Sequence, residues 1–216
     1  MEGADIPRQR YEAGNSPAGP DLPGRRGRPR SEEADRAILS AATELLAERG
    51  LGGMSMEEVA ARAGVGKATV YRRWGSRGAL ALDAFLAEFS RQQPVPDTGT
   101  FRGDLLAAIR GWIRSVTRTP AGQMLAGLVA EVQGKPALAA AWRERVFEPL
   151  RASNRVLVQR AIDRGEIPAD TDADVVLDLL FGSAYHRLLQ GHRPLTDQFA
   201  RRVTDLIVAG VTASGA

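Results

Sequence analysis

The sequence predicts an all-α protein of about nine helices, a small three-helix unit with a connecting fourth helix followed by a larger helical domain. Three observations carry this. Apolar residues recur at helical spacing from Ser31 onward, no segment alternates with period two among β-branched residues, and a Pro- and Gly-containing break at 91–100 (RQQPVPDTGT) parts the helical run in two.

Residues 1–30 are rich in Gly, Pro and Arg, with Ile6 and Leu22 as the only aliphatic side chains larger than alanine besides Met1. Such a stretch buries too little apolar surface to offset its ordering entropy, so a disordered basic arm is expected. The domain over 31–90 begins with a helix whose face is Ile38, Ala41, Ala42, Leu45 and Leu46. Glu32, Glu33 and Asp35 suit its positive N-terminal end, and Arg49-Gly50 closes it.

The second helix carries a capping box, Ser55-Met56-Glu57-Glu58, in which serine and glutamate each satisfy a free backbone N–H of the other. Val59, Ala60 and Ala63 give it an apolar face, and Gly64 stands where a left-handed C-cap is wanted. A third short helix follows from Lys67 to about Trp74. Ser76 is expected to cap the fourth, Arg77 to about Phe89, with the stripe Leu82, Phe85, Leu86 and Phe89.

Beyond the 91–100 linker, the domain 101–216 reads as helix throughout. Leu105, Ile109, Trp112, Ile113 and Val116 form one face; Met124, Leu125, Leu128 and Val132 form another, between Thr119-Pro120 and Gly134. Pro136 opens a long segment through Leu138, Trp142, Val146, Leu150 and Leu157 to Arg164-Gly165, and Pro149 inside it should kink or split it. The last two helices are expected at about 172–190 and 196–210.

Composition narrows the function. Cysteine is absent, which excludes disulfides and thiolate metal sites and fits a reducing cytoplasm. Met1-Glu2-Gly3-Ala4-Asp5 begins no secretory signal, and no apolar run approaches the roughly 18 residues of a membrane span. With two histidines, a transition-metal sensor is not expected, nor any other cofactor. There is no Gly-rich phosphate loop, no GxSxG and no HExxH, so an enzyme is not expected.

The net charge of +3 announces nothing, but its distribution does. Arg62, Lys67, Arg72, Arg73 and Arg77 fall in a run with no acidic residue, the footprint of a phosphate-backbone binder. Two short helices joined at Gly64-Val65-Gly66 are what a DNA-reading helix-turn-helix requires. Val70 and Trp74, at i and i+4, should face the core, leaving Lys67, Ala68, Thr69, Tyr71, Arg72 and Arg73 outward. A tyrosine among exposed cations is wasted on solvent, but beside a phosphate its hydroxyl is a donor.

The run from Met54 to Leu80 (MSMEEVAARAGVGKATVYRRWGSRGAL) closely resembles the DNA-binding domain of the TetR/AcrR family, over about residues 33–85. The resemblance implies a transcriptional regulator, most simply a ligand-responsive repressor that binds palindromic operator DNA as a homodimer. It implies phosphate contacts at Ser55, Tyr71, Arg73 and Arg77, with arginine at the last where lysine is commoner. Lys67, Ala68, Thr69 and Arg72 stand at positions that approach bases. Gly66 replaces the usual serine, so the recognition helix loses a side-chain cap, and Trp74 replaces phenylalanine. In the arm, Arg26-Gly27-Arg28-Pro29 has the core of an AT-hook-like element; minor-groove entry and simple non-specific attraction are both open.

The stretch from Arg164 to Gly210 resembles one common C-terminal class of the family, which implies that the last two helices pair in a four-helix dimer seam. Val176, Leu180, Phe199, Val203, Leu206 and Ile207 are the seam residues this suggests; Val175 to Phe181 is apolar around most of its helix. The family's C-terminal domain also binds an inducer, here an unknown small molecule. Trp112, Met124, Trp142, Phe147, Phe181 and Tyr185 are candidate lining residues and His186 a candidate donor, though each taken singly reads more readily as ordinary core or, for the histidine, as a group satisfied by a structural partner. An activator, or a DNA-binding protein without effector, remains an alternative.

Overall fold

The computed structural model describes residues 28–90 and 95–213, with the side chains of 28–31 and 90 left aside. The described residues form helices and connecting loops, without a strand. They are α1 (Arg28–Gly53), α2 (Met56–Arg62), α3 (Lys67–Arg73), α4 (Arg77–Ser90), α5 (Phe101–Arg118), α6 (Ala121–Gln133), α7 (Pro136–Trp142), α8 (Glu148–Asp163), α9 (Ala173–Gln190) and α10 (Asp197–Ala213). A π-helical turn, Arg143–Phe147, joins α7 to α8 without a break.

α1 starts at Arg28, inside the stretch expected to be disordered, with Pro29 in its first turn where a missing N–H costs nothing. Its regular course ends at Gly50, whose φ of 66° and ψ of −178° are non-helical, as Arg49-Gly50 predicts. Ile38, Ala41, Ala42, Leu45 and Leu46 are all buried, and this face packs on α4 and α6. Because α6 follows the linker, one apolar core runs through both halves of the chain. No helix among the described residues is long and apolar enough to cross a membrane.

Pro149 does not split the segment as expected; the helix accommodates it by a specific means. It can donate no N–H within the helix, and its ring crowds the carbonyl four residues back. The turn just before it widens to π geometry, with the Glu148 N–H bonded to the Arg143 carbonyl five residues earlier. The helix therefore runs on through the proline instead of splitting.

The linker is pinned on its C-terminal side. Asp104, fully buried on α5, accepts from the N–H of Thr98 at 2.6 Å and its hydroxyl at 2.7 Å, and its other oxygen takes Arg164 at 3.2 Å. Arg160 adds a bond to the Pro96 carbonyl at 3.0 Å. A buried carboxylate needs this full set of donors.

Candidate functional site

The N-terminal site is built by two caps. Ser55 Oγ accepts from the Glu58 N–H at 3.1 Å while Glu58 accepts from the Ser55 N–H at 3.2 Å, the reciprocal box that the sequence predicts. The Ser55 hydroxyl also donates to Glu58 Oε2 at 2.9 Å, and this bond first, with the Ser55 N–H and Arg49 after it, holds the Glu58 carboxyl below its ordinary pKa. At the other end, Val65 N–H bonds to the Ala60 carbonyl and Gly64 N–H to Ala61, which places Gly64 at φ 66°. Only glycine takes that conformation without strain.

α3 then presents its surface. Val70 and Trp74 are buried, as their spacing requires. Gly66 is the N-cap without a side-chain bond. Gly66, Lys67, Ala68, Tyr71 and Arg72 are exposed, and Thr69 is half-buried. Two cations are otherwise engaged. Arg73 is half-buried in an ion pair with Asp35 of α1. Arg77 donates to the carbonyls of Gly52 and Met54 at 3.2 and 3.1 Å, clamping the loop before α2. Both side chains brace the reader from within the protein. Arg26 lies outside the described residues, and Arg28 is the first residue of α1.

Sequence reasoning missed the carboxylate on this surface. Tyr71 donates to Glu57 Oε1 at 3.1 Å, and Lys67 Nζ lies 3.8 Å from the same oxygen. The bond to Glu57 raises the pKa of the Tyr71 phenol. The acid-free run from Arg62 to Arg77 conceals this, because Glu57 is brought in from the preceding helix. Asp83 of α4 was missed as well. It accepts from Trp74 Nε1, just past the end of α3, at 2.8 Å, and it pairs with Arg145 of the π turn.

The second site is a cavity of about 300 Å³ in the C-terminal half. Phe85 and Phe89 reach it from α4, Trp112 from α5, Trp142 from α7, and Val146 and Phe147 from the π turn. α8 supplies Leu150, Arg151 and Asn154; α9 supplies Leu177, Asp178, Phe181, Gly182 and Tyr185. Five of the seven expected lining residues are therefore present: Trp112, Trp142, Phe147, Phe181 and Tyr185. Met124 is buried among core residues of α6 and does not line it. His186 faces elsewhere, its ring 5.0 Å from that of His192. The aromatic wall comes in two groups, Trp112 centred 5.2 Å from Tyr185 in one and Phe85 5.4 Å from Trp142 in the other.

The expected dimer seam needs correction. Val176, Leu180, Phe199 and Ile207 are all buried inside the protomer and cannot meet a partner. Between Val175 and Phe181 α9 is apolar around most of its surface, and its inner face is the one carrying Val176, Leu177 and Leu180. Its outer face leaves Val175 and Leu179 more than half exposed, and on α10 Leu206 is 71% exposed. Of the six expected residues, Leu206 is exposed and Val203 half-buried.

A capped helix-turn-helix with a basic reading helix, joined through its fourth helix to a helical domain with an aromatic cavity, defines a DNA-binding regulator with a separate sensor half. Two family models match the chain: bacterial regulatory proteins, tetR family, over residues 38–84, and tetracyclin repressor-like, C-terminal domain, over 95–207. The chain belongs to the TetR family of transcriptional regulators. It is 34% identical over 192 residues to the HTH-type transcriptional regulator YdeS of Bacillus subtilis, covering 89% of this chain and 96% of that one. It is 32% identical to the DNA-binding transcriptional repressor TetR of Mycobacteroides abscessus, over 87% of this chain and 98% of the other. Among solved structures, the TetR family regulator SCO0332 superposes with a TM-score of 0.71 at 37% identity, covering 83% and 98% of the two chains.

Proposed function

We propose that the chain is a cytoplasmic repressor that holds a palindromic operator as a homodimer and releases it when a small molecule fills the cavity. The observation that carries this is the double role of α4. Its Phe85 and Phe89 are cavity wall, while its Asp83 ties the end of α3 to the π turn beside Val146 and Phe147. A guest in the cavity therefore bears on the helix that supports the reader. It shifts operator affinity by the difference in its affinity for the two arrangements.

On this reading Lys67, Ala68, Thr69 and Arg72 approach base edges, and Tyr71 and the Ser55 helix end meet phosphates. The exposed apolar strip of Val175, Leu179 and Leu206 is the surface a second copy covers, since a two-fold operator calls for a two-fold protein. The pair must set its reading helices roughly 34–36 Å apart to enter successive major grooves.

The test is footprinting on the DNA upstream of the protein's own gene, with light scattering of the free protein. A protected palindrome and a dimer are expected. A monomer bound to an asymmetric site would overturn the proposal.

A further inference from the structure

We infer that the cavity takes a compact, uncharged aromatic molecule carrying a hydrogen-bond acceptor, and that it discriminates against acids of the same shape. The inference rests on the cavity being the effector site and says which chemistry fits it.

The size comes first. At about 300 Å³ the cavity is at the small end for ligand pockets, room for a fused ring system and little more. The wall comes next. Phe85, Phe181, Trp112 and Trp142 offer ring faces and edges, which favour a flat guest stacked or tilted against them.

Charge settles the class. The lining holds one cation, Arg151, and one carboxylate, Asp178, which bond to each other at 2.7 Å. Arg151 is further held by Asp174, to its carboxylate at 2.8 Å and its carbonyl at 2.7 Å, and its plane lies 5.5 Å from the Phe147 ring centre. Three of its five N–H donors are spent on these partners, and a ligand carboxylate would have to stand beside Asp178 and share a charge already balanced. No surplus positive charge awaits an acid.

The remaining polar groups of the lining are neutral, and donors prevail: the Asn154 amide already donates to the Leu150 carbonyl at 2.8 Å, leaving the Tyr185 hydroxyl and two indole N–H groups. Among the described residues the Tyr185 hydroxyl has no hydrogen-bond partner, and neither do the indole N–H groups of Trp112 and Trp142. Burial alone pushes the Tyr185 phenol up to about 12, so it stays protonated and can donate throughout the physiological range. An indole N–H only donates, so the guest must bring the acceptor: a ketone, amide, quinone or ether oxygen.

Three probes of one skeleton test this by calorimetry on the full dimer: 2-acetylnaphthalene, naphthalene and 2-naphthoate. The ketone is expected to bind at least tenfold more tightly than the anion. Tyr185→Phe, nearly isosteric and checked by thermal melting, should cost the ketone about tenfold, about 1.4 kcal/mol, and leave naphthalene unchanged. Equal or tighter binding of naphthoate, or no binding of any probe, overturns the class. An unchanged ketone affinity in Tyr185→Phe overturns the acceptor assignment. Ketone preference without release of operator DNA leaves the ligand class standing and removes the effector reading. Release by naphthoate with no ketone preference does the reverse.

Discussion

The reader and the cavity are built on opposite plans. The reader occupies consecutive residues, from Ser55 to Arg77, and its shape comes from caps and turns that act within a few positions. The cavity gathers side chains from Phe85 to Tyr185 across five helices and a π turn, none of which is complete without the others. A local device states its purpose in a short motif. A long-range device states only its parts, and its purpose lies in how they meet.

Substitutions on α9 give the sharpest contrast. Leu180→Asp buries an unpaired charge at a fully buried position and should cost about 3–5 kcal/mol, seen as loss of the cooperative melt by circular dichroism. Leu179→Asp, one residue on, should melt as the wild type and run as a monomer in light scattering. A folded, dimeric Leu179→Asp protein would remove that face from the seam. On the reader, Arg72→Ala should lose about 1–3 kcal/mol on the operator and relax the preference at one or two base pairs, measured by anisotropy against single-base operator variants. An equal loss on every sequence would make Arg72 a backbone contact.

Between the two regions, Asp83→Asn keeps an acceptor for Trp74 but drops the charge held by Arg145. Free operator affinity should stay within about tenfold, while the effector concentration for half-release rises about fivefold or more. An unchanged dose response would place the coupling elsewhere. Glu57→Gln acts in the opposite sense. It frees Lys67 and Tyr71 from a carboxylate, so binding to any DNA should tighten by up to about tenfold and depend more steeply on salt.

The smallest effect is on acid stability. Arg110 first, then Arg201, hold the Asp197 carboxyl down to about 2, from an ordinary 3.8. Its contribution is complete above about pH 4 and is lost as pH falls toward about pH 2. Asp197→Asn should flatten the urea midpoint over that window relative to wild type. An unaltered slope would show that the α5–α10 tie carries no such linkage.

Much of this was legible in the sequence because caps and periodicity act locally. Ser55 with Glu58, Gly64, and the inward pair Val70 and Trp74 follow from spacing alone. The orientation of α9 does not. With apolar residues at 175, 176, 177, 179 and 180, periodicity offers several faces, and packing against α8 and α10 chooses the one through Val176 and Leu180. Arg73 and Arg77 read as free cations because Asp35 and the Gly52 and Met54 carbonyls are distant in the chain. Arg151, Asn154 and Asp178 carried no motif, and only the meeting of α8 with α9 makes them cavity wall.

The π turn before Pro149 also sets a register. An α-helix advances about 100° per residue, so the turn holds one residue more than the helix around it would need. Removing a single residue between Arg143 and Phe147 would rewind the segment to α geometry and swing Trp142 by roughly that angle relative to Leu150 and Arg151. Trp142 would then turn away from the α8 side of the cavity, with the remaining side chains chemically intact. The shape of this cavity is therefore set by chain length as well as by residue type: with one residue fewer in that turn, the same side chains would wall a different chamber.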